Sequence, residues 1–181
     1  MHSKATILSW FAALILAACA SNPPVVRAPA PPSAPAPPLS AEASKAVVST
    51  AVSLVGTPYA TGGASPASGF DCSGLVAYVY AHALQVVLPR STFALARMGD
   101  PIPTEALQPG DLVFYNTLQR HYSHVGIYLG KARFVHAPAS GGAVRIEDMH
   151  VSYWASRYDG ARRVAFFRAA DARELITNQE R

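Results

Sequence analysis

One cysteine and two histidines in this chain have the residue types and the order that nucleophilic catalysis requires. Cys72 lies in the segment FDCSGL (residues 70–75), His124 follows it by 52 residues, and His136 follows His124 by 12. A thiol nucleophile needs a base, and the base needs a group that orients it. Cys72, His124 and His136 therefore form a candidate nucleophile, general base and orienting residue.

The residues around Cys72 predict that it begins a helix. Asp71 is a good N-cap residue, and Leu75, Val76 and Val79 have helical spacing, which predicts a helix over residues 72–83. Cys72 would then lie in the first turn, where free N–H groups and the helix dipole favour a thiolate. The alternative is a small buried core cysteine, which is the commoner role of an unpaired cysteine.

The two histidines are predicted on neighbouring strands, at residues 124–129 and 133–136. To touch each other they must share one face of that hairpin, and a two-residue turn at Gly130-Lys131 would place them on opposite faces. We therefore expect a register that sets His124 directly across from His136. That register leaves a three-residue loop over residues 129–131, with Gly130 in the left-handed conformation.

The remaining pattern predicts helices first and antiparallel strands afterwards, an α+β fold with helices packed on one sheet. Asp111 is expected to cap the turn before a buried strand. The other predicted elements are a first helix that ends at Gly56, a short helix at 93–98, strands at 112–115, 144–146 and 164–167, and a helical turn at 152–158.

The other histidines raise the possibility of a metal site. His121 lies three residues before His124, so a cysteine–histidine zinc site has to be considered, but the chain has neither CxxC nor HExxH. His121 and His150 are consistent with solvated loop residues, and His82 with a surface position. No metal or organic cofactor is expected.

The N-terminal forty residues are typical of an exported lipoprotein. A basic start is followed by an apolar run over residues 7–16, too short to cross a bilayer comfortably and laid out like a secretory signal. The segment LAAC, residues 16–19, resembles a bacterial lipobox, which implies cleavage before Cys19 and lipidation of Cys19. Ala20, rather than an aspartate, favours the outer membrane. Residues 21–40 contain eight prolines and predict an extended tether.

Charge argues against nucleic-acid binding, and cysteine content favours a chemical role for Cys72. Removal of residues 1–18 leaves 14 basic against 11 acidic residues, a net charge of +3, with scattered arginines that give no nucleic-acid footprint. Lipidation of Cys19 would leave Cys72 as an unpaired thiol in an oxidising compartment, which favours a chemical role. The domain is expected to cover residues 41–170, followed by a polar tail at 171–181, and to be monomeric.

Several motifs follow one another in a characteristic order along the chain. They are GTPYATGG (56–63), FDCSGLV (70–76), LPRST (88–92), QPGDLVFY (108–115), HVGIYL (124–129), FVHA (134–137), YW (153–154) and GARRV (160–164). Together they resemble the NlpC-type cysteine peptidase family. The resemblance covers about residues 43–167, nearly the whole domain, and implies a papain-like α+β fold and hydrolysis of peptide bonds in peptidoglycan stem peptides or cross-links.

The resemblance also implies roles for individual residues. Cys72 takes the nucleophile position, His124 the general base and His136 the third polar residue, while Tyr59 falls on a tyrosine near the thiolate. Asp71 and Ser73 fall on positions that can line the acyl side of the substrate, or they act only locally in the helix start.

Many relatives carry a separate wall-binding domain before the catalytic one. Here only the tether precedes the catalytic domain, so the lipid is expected to localise it. Two alternatives remain: a peptidoglycan-binding lipoprotein without activity, and an acyltransferase or amidase on the same scaffold.

Overall fold

A computed structural model describes residues 39–139 and 142–164 of the chain. The helices are α1 (Ala41–Ser53), α2 (Cys72–Leu84), α3 (Thr92–Leu95) and α4 (Ser152–Ala155), with a single 3-10 turn at Thr104–Ala106. The strands are β1 (Ala64–Ser65), β2 (Gly69–Phe70), β3 (Asp100–Ile102), β4 (Leu112–Tyr115), β5 (His124–Gly130), β6 (Arg133–His136), β7 (Arg145–Asp148) and β8 (Tyr158–Arg163).

Six of the strands form one antiparallel sheet in the order β3-β8-β4-β5-β6-β7. The short strands β1 and β2 pair separately and lead into α2. The predicted α+β class, with helices on an antiparallel sheet, is therefore confirmed.

Apolar side chains cover both faces of this sheet. The face towards α1 and α2 carries a large core, which includes Val47, Leu75, Val76, Phe114 and Val135. The opposite face carries a smaller core that is rich in aromatic residues, namely Val113, Tyr115, Phe134, Trp154 and Ala161. Because side chains alternate between the faces of a strand, residues two apart in sequence share a face.

The first helix ends earlier than predicted. The helix α1 stops at Ser53, and Gly56 lies beyond it with φ +92°. Of the valines at helical spacing, Val47 is buried, whereas Val52 and Val55 are 42% and 44% exposed. The predicted apolar stripe is therefore too wide, because only one edge of it meets α2 and the sheet.

The hairpin of β5 and β6 does not have the register expected from the sequence. Ile127 pairs with Val135, so continuing the pairing places Gly126, and not His124, opposite His136. The connection is the two-residue turn Lys131-Ala132, with φ +52° and +55°, beside a bulge at Gly130 with φ +93°. The predicted positive φ of Gly130 is confirmed, and both histidines still share one face.

The strand β8, which covers Tyr158–Arg163, was not expected from the sequence. Of the strand predicted at residues 164–167, only Val164 lies within the described residues, directly after β8, and residues 165–167 lie outside them. The predicted helical turn at 152–158 is correspondingly shorter, as is the short helix expected at 93–98. The sequence analysis also missed β1, β2 and β3, which are two or three residues long.

A buried ion pair fixes β8 in the sheet. Arg163 donates from Nε and Nη2 to the two carboxylate oxygens of Asp111, at 2.9 and 2.8 Å. Asp111 also accepts from the backbone N–H of Gln108, at 2.8 Å, as a turn-capping residue does. The predicted local role of Asp111 is confirmed, and the pair adds a link between β8 and the start of β4.

Several predictions concern residues outside those described. The signal segment, Cys19, the tether as far as residue 38, and residues 165–181 all lie there. No helix within residues 39–139 and 142–164 has the length and hydrophobicity needed to span a membrane.

Candidate active site

Cys72 is the first residue of α2, as predicted. The carboxylate of Asp71 caps the helix by accepting from the backbone N–H of Gly74 at 2.6 Å. Cys72 is unpaired and half-buried. Burial raises the pKa of its thiol, and the nearby Asp71 carboxylate acts in the same direction, while the backbone N–H of Val125 acts to lower it. The thiol therefore lies beside the start of β5.

The expectation of a resting thiolate at Cys72 is not met. The favourable backbone N–H groups at the helix start are outweighed by the loss of solvent around the sulfur, so the pKa is raised. The thiol is protonated at rest, and a base has to remove its proton when it attacks.

His124 opens β5 and is only 5% exposed. Its Nε2 lies 2.8 Å from Nδ1 of His136. This contact leaves Nδ1 of His124 as the nitrogen that can accept a proton from a thiol. A neutral His124 with a free Nδ1 lone pair carries its proton on Nε2 and donates it to His136.

His136 ends β6 and is completely buried. The indole of Trp154 stands perpendicular to its ring, with ring centres 4.9 Å apart, and also packs on His124 at 5.9 Å. His136 is therefore held by packing, with Nδ1 directed at His124. Its Nε2 has no hydrogen-bond partner in the described part of the chain.

Both imidazoles are neutral at physiological pH. Burial, together with the charge of Arg145, lowers the pKa of His124 to about 4. Burial, the neighbouring His124 and Arg145 together lower the pKa of His136 to about 2. The thiol of Cys72 and both imidazoles are therefore neutral at rest.

The side chains of Asp71 and Ser73 contact the protein itself. Asp71 accepts from the backbone N–H of Gly62 at 3.0 Å in addition to capping α2, and Arg90 lies 3.5 Å from it. The Ser73 hydroxyl is buried, 3.0 Å from Asp71 Oδ1 and 3.1 Å from the carbonyl of Arg90. These contacts hold the β2–α2 corner in place, and a role of either residue towards substrate stays a prediction.

Tyr59 lies in the loop that leads to this corner. Its backbone forms a bridge with Phe70, two residues before Cys72, and its side chain packs at the margin of the large core. This placement brings Tyr59 to the Cys72 end of α2, and its role at the oxyanion stays a prediction.

The other histidines among the described residues lie apart from the pair. His121 Nδ1 contacts Asp159 at 2.8 Å with an 80% exposed side chain, while His82 stacks on Tyr78 and His150 is exposed. Within residues 39–139 and 142–164, no group of three or more histidine, cysteine or acidic residues could hold a metal ion.

A cleft of about 610 Å³ opens beside His124, on the sheet face away from α1 and α2. Its walls include Arg145, Glu147, Tyr153 and Trp154. No sequence motif pointed to Arg145 or Glu147. Trp154 lies in a segment that resembles the family, yet its contact with both histidines could not be read from that resemblance.

Comparison with known proteins shows the family to which this chain belongs. Residues 56–163 match the NlpC/P60 family. The chain is 39% identical over 126 residues to the murein DD-endopeptidase MepH of Escherichia coli, covering 68% of this chain and 46% of that protein. It is 42% identical over 124 residues to a gamma-DL-glutamyl hydrolase of Bacillus subtilis, covering 68% and 30%.

Solved structures agree with the sequence comparison. A crystal structure of a Staphylococcus aureus protein of the NLP/P60 family, described as similar to a lipoprotein, matches with a TM-score of 0.65 and 35% identity, covering 73% of this chain and 44% of that one. The fold is thus the papain-like α+β fold. The chain belongs to the NlpC/P60 family, and it spans less than half the length of each of these three proteins.

Proposed function

We propose that this protein is a cysteine endopeptidase that hydrolyses peptide bonds in peptidoglycan stem peptides or cross-links. The observation that carries the proposal is the 2.8 Å contact between His124 Nε2 and His136 Nδ1, which leaves His124 Nδ1 free at the end of the sheet where the Cys72 thiol lies. A buried, oriented base next to a thiol at a helix start is the arrangement that acyl transfer needs.

The proposed reaction begins from the neutral pair. As the Cys72 sulfur bonds to the scissile carbonyl carbon, its proton passes to Nδ1 of His124, and the positive charge is shared with His136 through the Nε2–Nδ1 contact. The backbone N–H of Cys72 and the Tyr59 hydroxyl stabilise the oxyanion. The C–N bond then breaks, and His124 returns the proton to the leaving amine.

A water molecule completes the turnover. His124 takes one proton from the water as its oxygen attacks the thioester carbonyl, and the C–S bond breaks. The sulfur regains that proton, and the acyl part leaves as a carboxylic acid. Every proton in this scheme passes through His124.

The similar proteins support two bonds as substrates. One relative is named a murein DD-endopeptidase and the other a gamma-DL-glutamyl hydrolase. The corresponding bonds here are D-alanyl–diaminopimelate in a cross-link and γ-D-glutamyl–diaminopimelate in a stem. We keep both, because no residue of the site distinguishes between them.

Digestion of purified peptidoglycan tests the proposal. The wild-type protein should release fragments whose masses identify one of the two bonds, and Cys72→Ser should release none, because serine is a far weaker nucleophile beside a neutral imidazole. Cys72→Ser should also keep its thermal midpoint, since the change is small in volume. Retained hydrolysis would refute the mechanism. Peptidoglycan that is bound stably but left intact would favour the peptidoglycan-binding lipoprotein without activity. Products that carry a transferred acyl group would favour the acyltransferase.

We further propose that the chain is anchored in the cell envelope through a lipid on Cys19, facing the periplasm from the outer membrane. The support is the apolar run, the lipobox-like segment before Cys19 and the proline-rich tether. An extended tether over residues 21–40 would reach about 60 Å, at about 3.1 Å per residue. That reach would place the domain at the peptidoglycan layer while the lipid stays in the membrane.

A further inference from the structure

We propose that the cleft beside His124 binds the leaving-group side of the substrate, and that Arg145 in this cleft binds a carboxylate on the residue after the scissile bond. The inference rests on the proposed function and adds to it the chemical class of the preferred substrate. It names a specificity residue that no sequence motif indicated.

The position of the general acid decides which side of the substrate the cleft holds. The leaving amine must receive its proton from His124, so it has to lie next to that imidazole when the C–N bond breaks. His124 forms part of the cleft wall, whereas Cys72 lies at the start of α2, on the side of the other sheet face. A substrate peptide whose scissile carbonyl lies at the Cys72 thiol and whose leaving amine lies at His124 therefore continues into the cleft.

Strand pairing brings Arg145 next to the histidines. Arg145 is the partner of His136 across β6 and β7, and directly opposed residues share a face. His136 in turn contacts His124 at 2.8 Å. The three side chains form a row across β5, β6 and β7, and the positive charge of Arg145 is near enough to lower the pKa of both imidazoles.

The guanidinium of Arg145 is held in place by one hydrogen bond, and its other N–H groups remain available. Its Nε donates to Glu147 Oε1 at 2.6 Å, while its two terminal nitrogens have no hydrogen bond to any described residue. The side chain of Arg145 is 48% exposed and that of Glu147 25%. Glu147 thus holds one edge of the guanidinium fork and leaves the other edge for a carboxylate, which arginine binds with two parallel hydrogen bonds.

The rest of the wall suits the body of an amino acid. Tyr153 and Val151 are 46% and 50% exposed, and the ring of Tyr153 packs edge-on against the buried indole of Trp154, with ring centres 4.8 Å apart. Apolar surface around one oriented cation fits a residue with a hydrocarbon chain and a terminal carboxylate. Diaminopimelate after a γ-D-glutamyl bond has this chemistry, and after a D-alanyl bond it keeps a free carboxylate on the carbon that bears the scissile nitrogen. Lysine, or an amidated diaminopimelate, lacks that carboxylate.

Two peptides that differ only in this group test the inference. One carries a free carboxylate and the other a carboxamide on the residue after the scissile bond, and kcat/KM is measured for both. The wild-type protein should favour the carboxylate about tenfold to hundredfold, the range of a hydrogen bond to a charged group. Arg145→Gln should bring the ratio to about one, and Arg145→Lys should restore part of it.

The ratio separates recognition from other effects of the substitution. Both peptides are cleaved at the same His124 and His136. A change in the pKa values of these histidines therefore affects both kcat/KM values and cancels in their ratio. Arg133→Gln is the matched control, because it removes the same charge from an exposed position at the far end of β6 and should keep the wild-type ratio. A wild-type ratio of one, or an unchanged ratio in Arg145→Gln, would overturn the inference.

A binding measurement keeps this result distinct from the proposed activity. Calorimetry on Cys72→Ser with the two amine products, carboxylate and carboxamide, makes the same comparison without turnover. A carboxylate preference that Arg145→Gln abolishes supports the inference even if neither peptide is cleaved. The absence of cleavage would then count against the proposed function alone. Equal binding of both products would overturn the inference even if both peptides are cleaved.

Discussion

Replacing His136 by glutamine is expected to make the fold less sensitive to acid. In the unfolded chain a histidine binds a proton below about pH 6.5. In the folded protein burial lowers the pKa of His136 to about 2, so it stays neutral. Protons therefore bind preferentially to the unfolded chain as the pH falls, and the free energy of unfolding decreases.

The size of the effect follows from this difference. At about pH 5 an unfolded histidine is almost fully protonated, which favours unfolding by about 2 kcal/mol relative to neutral pH. His124, with a pKa of about 4, contributes a similar amount in the same direction. The wild type should thus lose about 4 kcal/mol from the pair, and His136→Gln about half of that.

The assay is urea unfolding at a series of pH values between about 7 and 5. The free energy of unfolding of the wild type is subtracted from that of the variant at each pH, which removes the contribution of the carboxylates that both proteins share. His150→Gln, at an exposed histidine, is the control and should follow the wild type. Residual activity of His136→Gln would show that the amide still accepts from His124 Nε2, and His136→Ala should be less active. Parallel pH profiles for His136→Gln and wild type would refute the reasoning, because His136 would then titrate as it does when unfolded.

Three further outcomes are expected. Cys19→Ala should move the exported protein out of the membrane fraction, and a wild type that is already soluble after export would contradict lipid anchoring. Arg163→Met should cost about 3–5 kcal/mol in urea unfolding, because it strands the buried carboxylate of Asp111, and adding Asp111→Asn should recover part of that loss; a loss below about 1 kcal/mol would show that the pair is dispensable. Gly74→Ala should lower the thermal midpoint, because its Cβ would lie 2.0 Å from the carbonyl oxygen of Gly63, and an unchanged midpoint would mean that the β2–α2 corner can yield.

The contact between His124 and His136 could be predicted because the chemistry proposed for them restricts the geometry. Contact between His124 and His136 requires that both lie on one face, and they do. The sequence could not determine the exact pairing, because the turn uses two residues other than glycine, Lys131 and Ala132, with positive φ beside a bulge at Gly130. A diagonal contact between long side chains serves as well as a direct one.

The position of β8 could not be read from its composition. Its residues, YDGARR, are mostly polar, so hydrophobicity did not indicate a strand there. Arg163 is buried there only because Asp111, 52 residues earlier, receives its guanidinium. Arg145 was missed for a related reason, since a charged residue on a strand looks solvated until the neighbouring strands are aligned.

The placement of β8 also bears on how the chain reaches its final state. This strand comes after every other element described, yet it lies inside the sheet, between β3 and β4. Asp100 at the start of β3 pairs with Arg163 at the end of β8, so that pairing closes a long stretch of sequence and is expected to be slow. A chain cut before Tyr158 would leave β4 with an unpaired edge and β3 without its partner, an open template for pairing with other chains. Nearly all of the described domain must therefore be present before the six-stranded sheet can close.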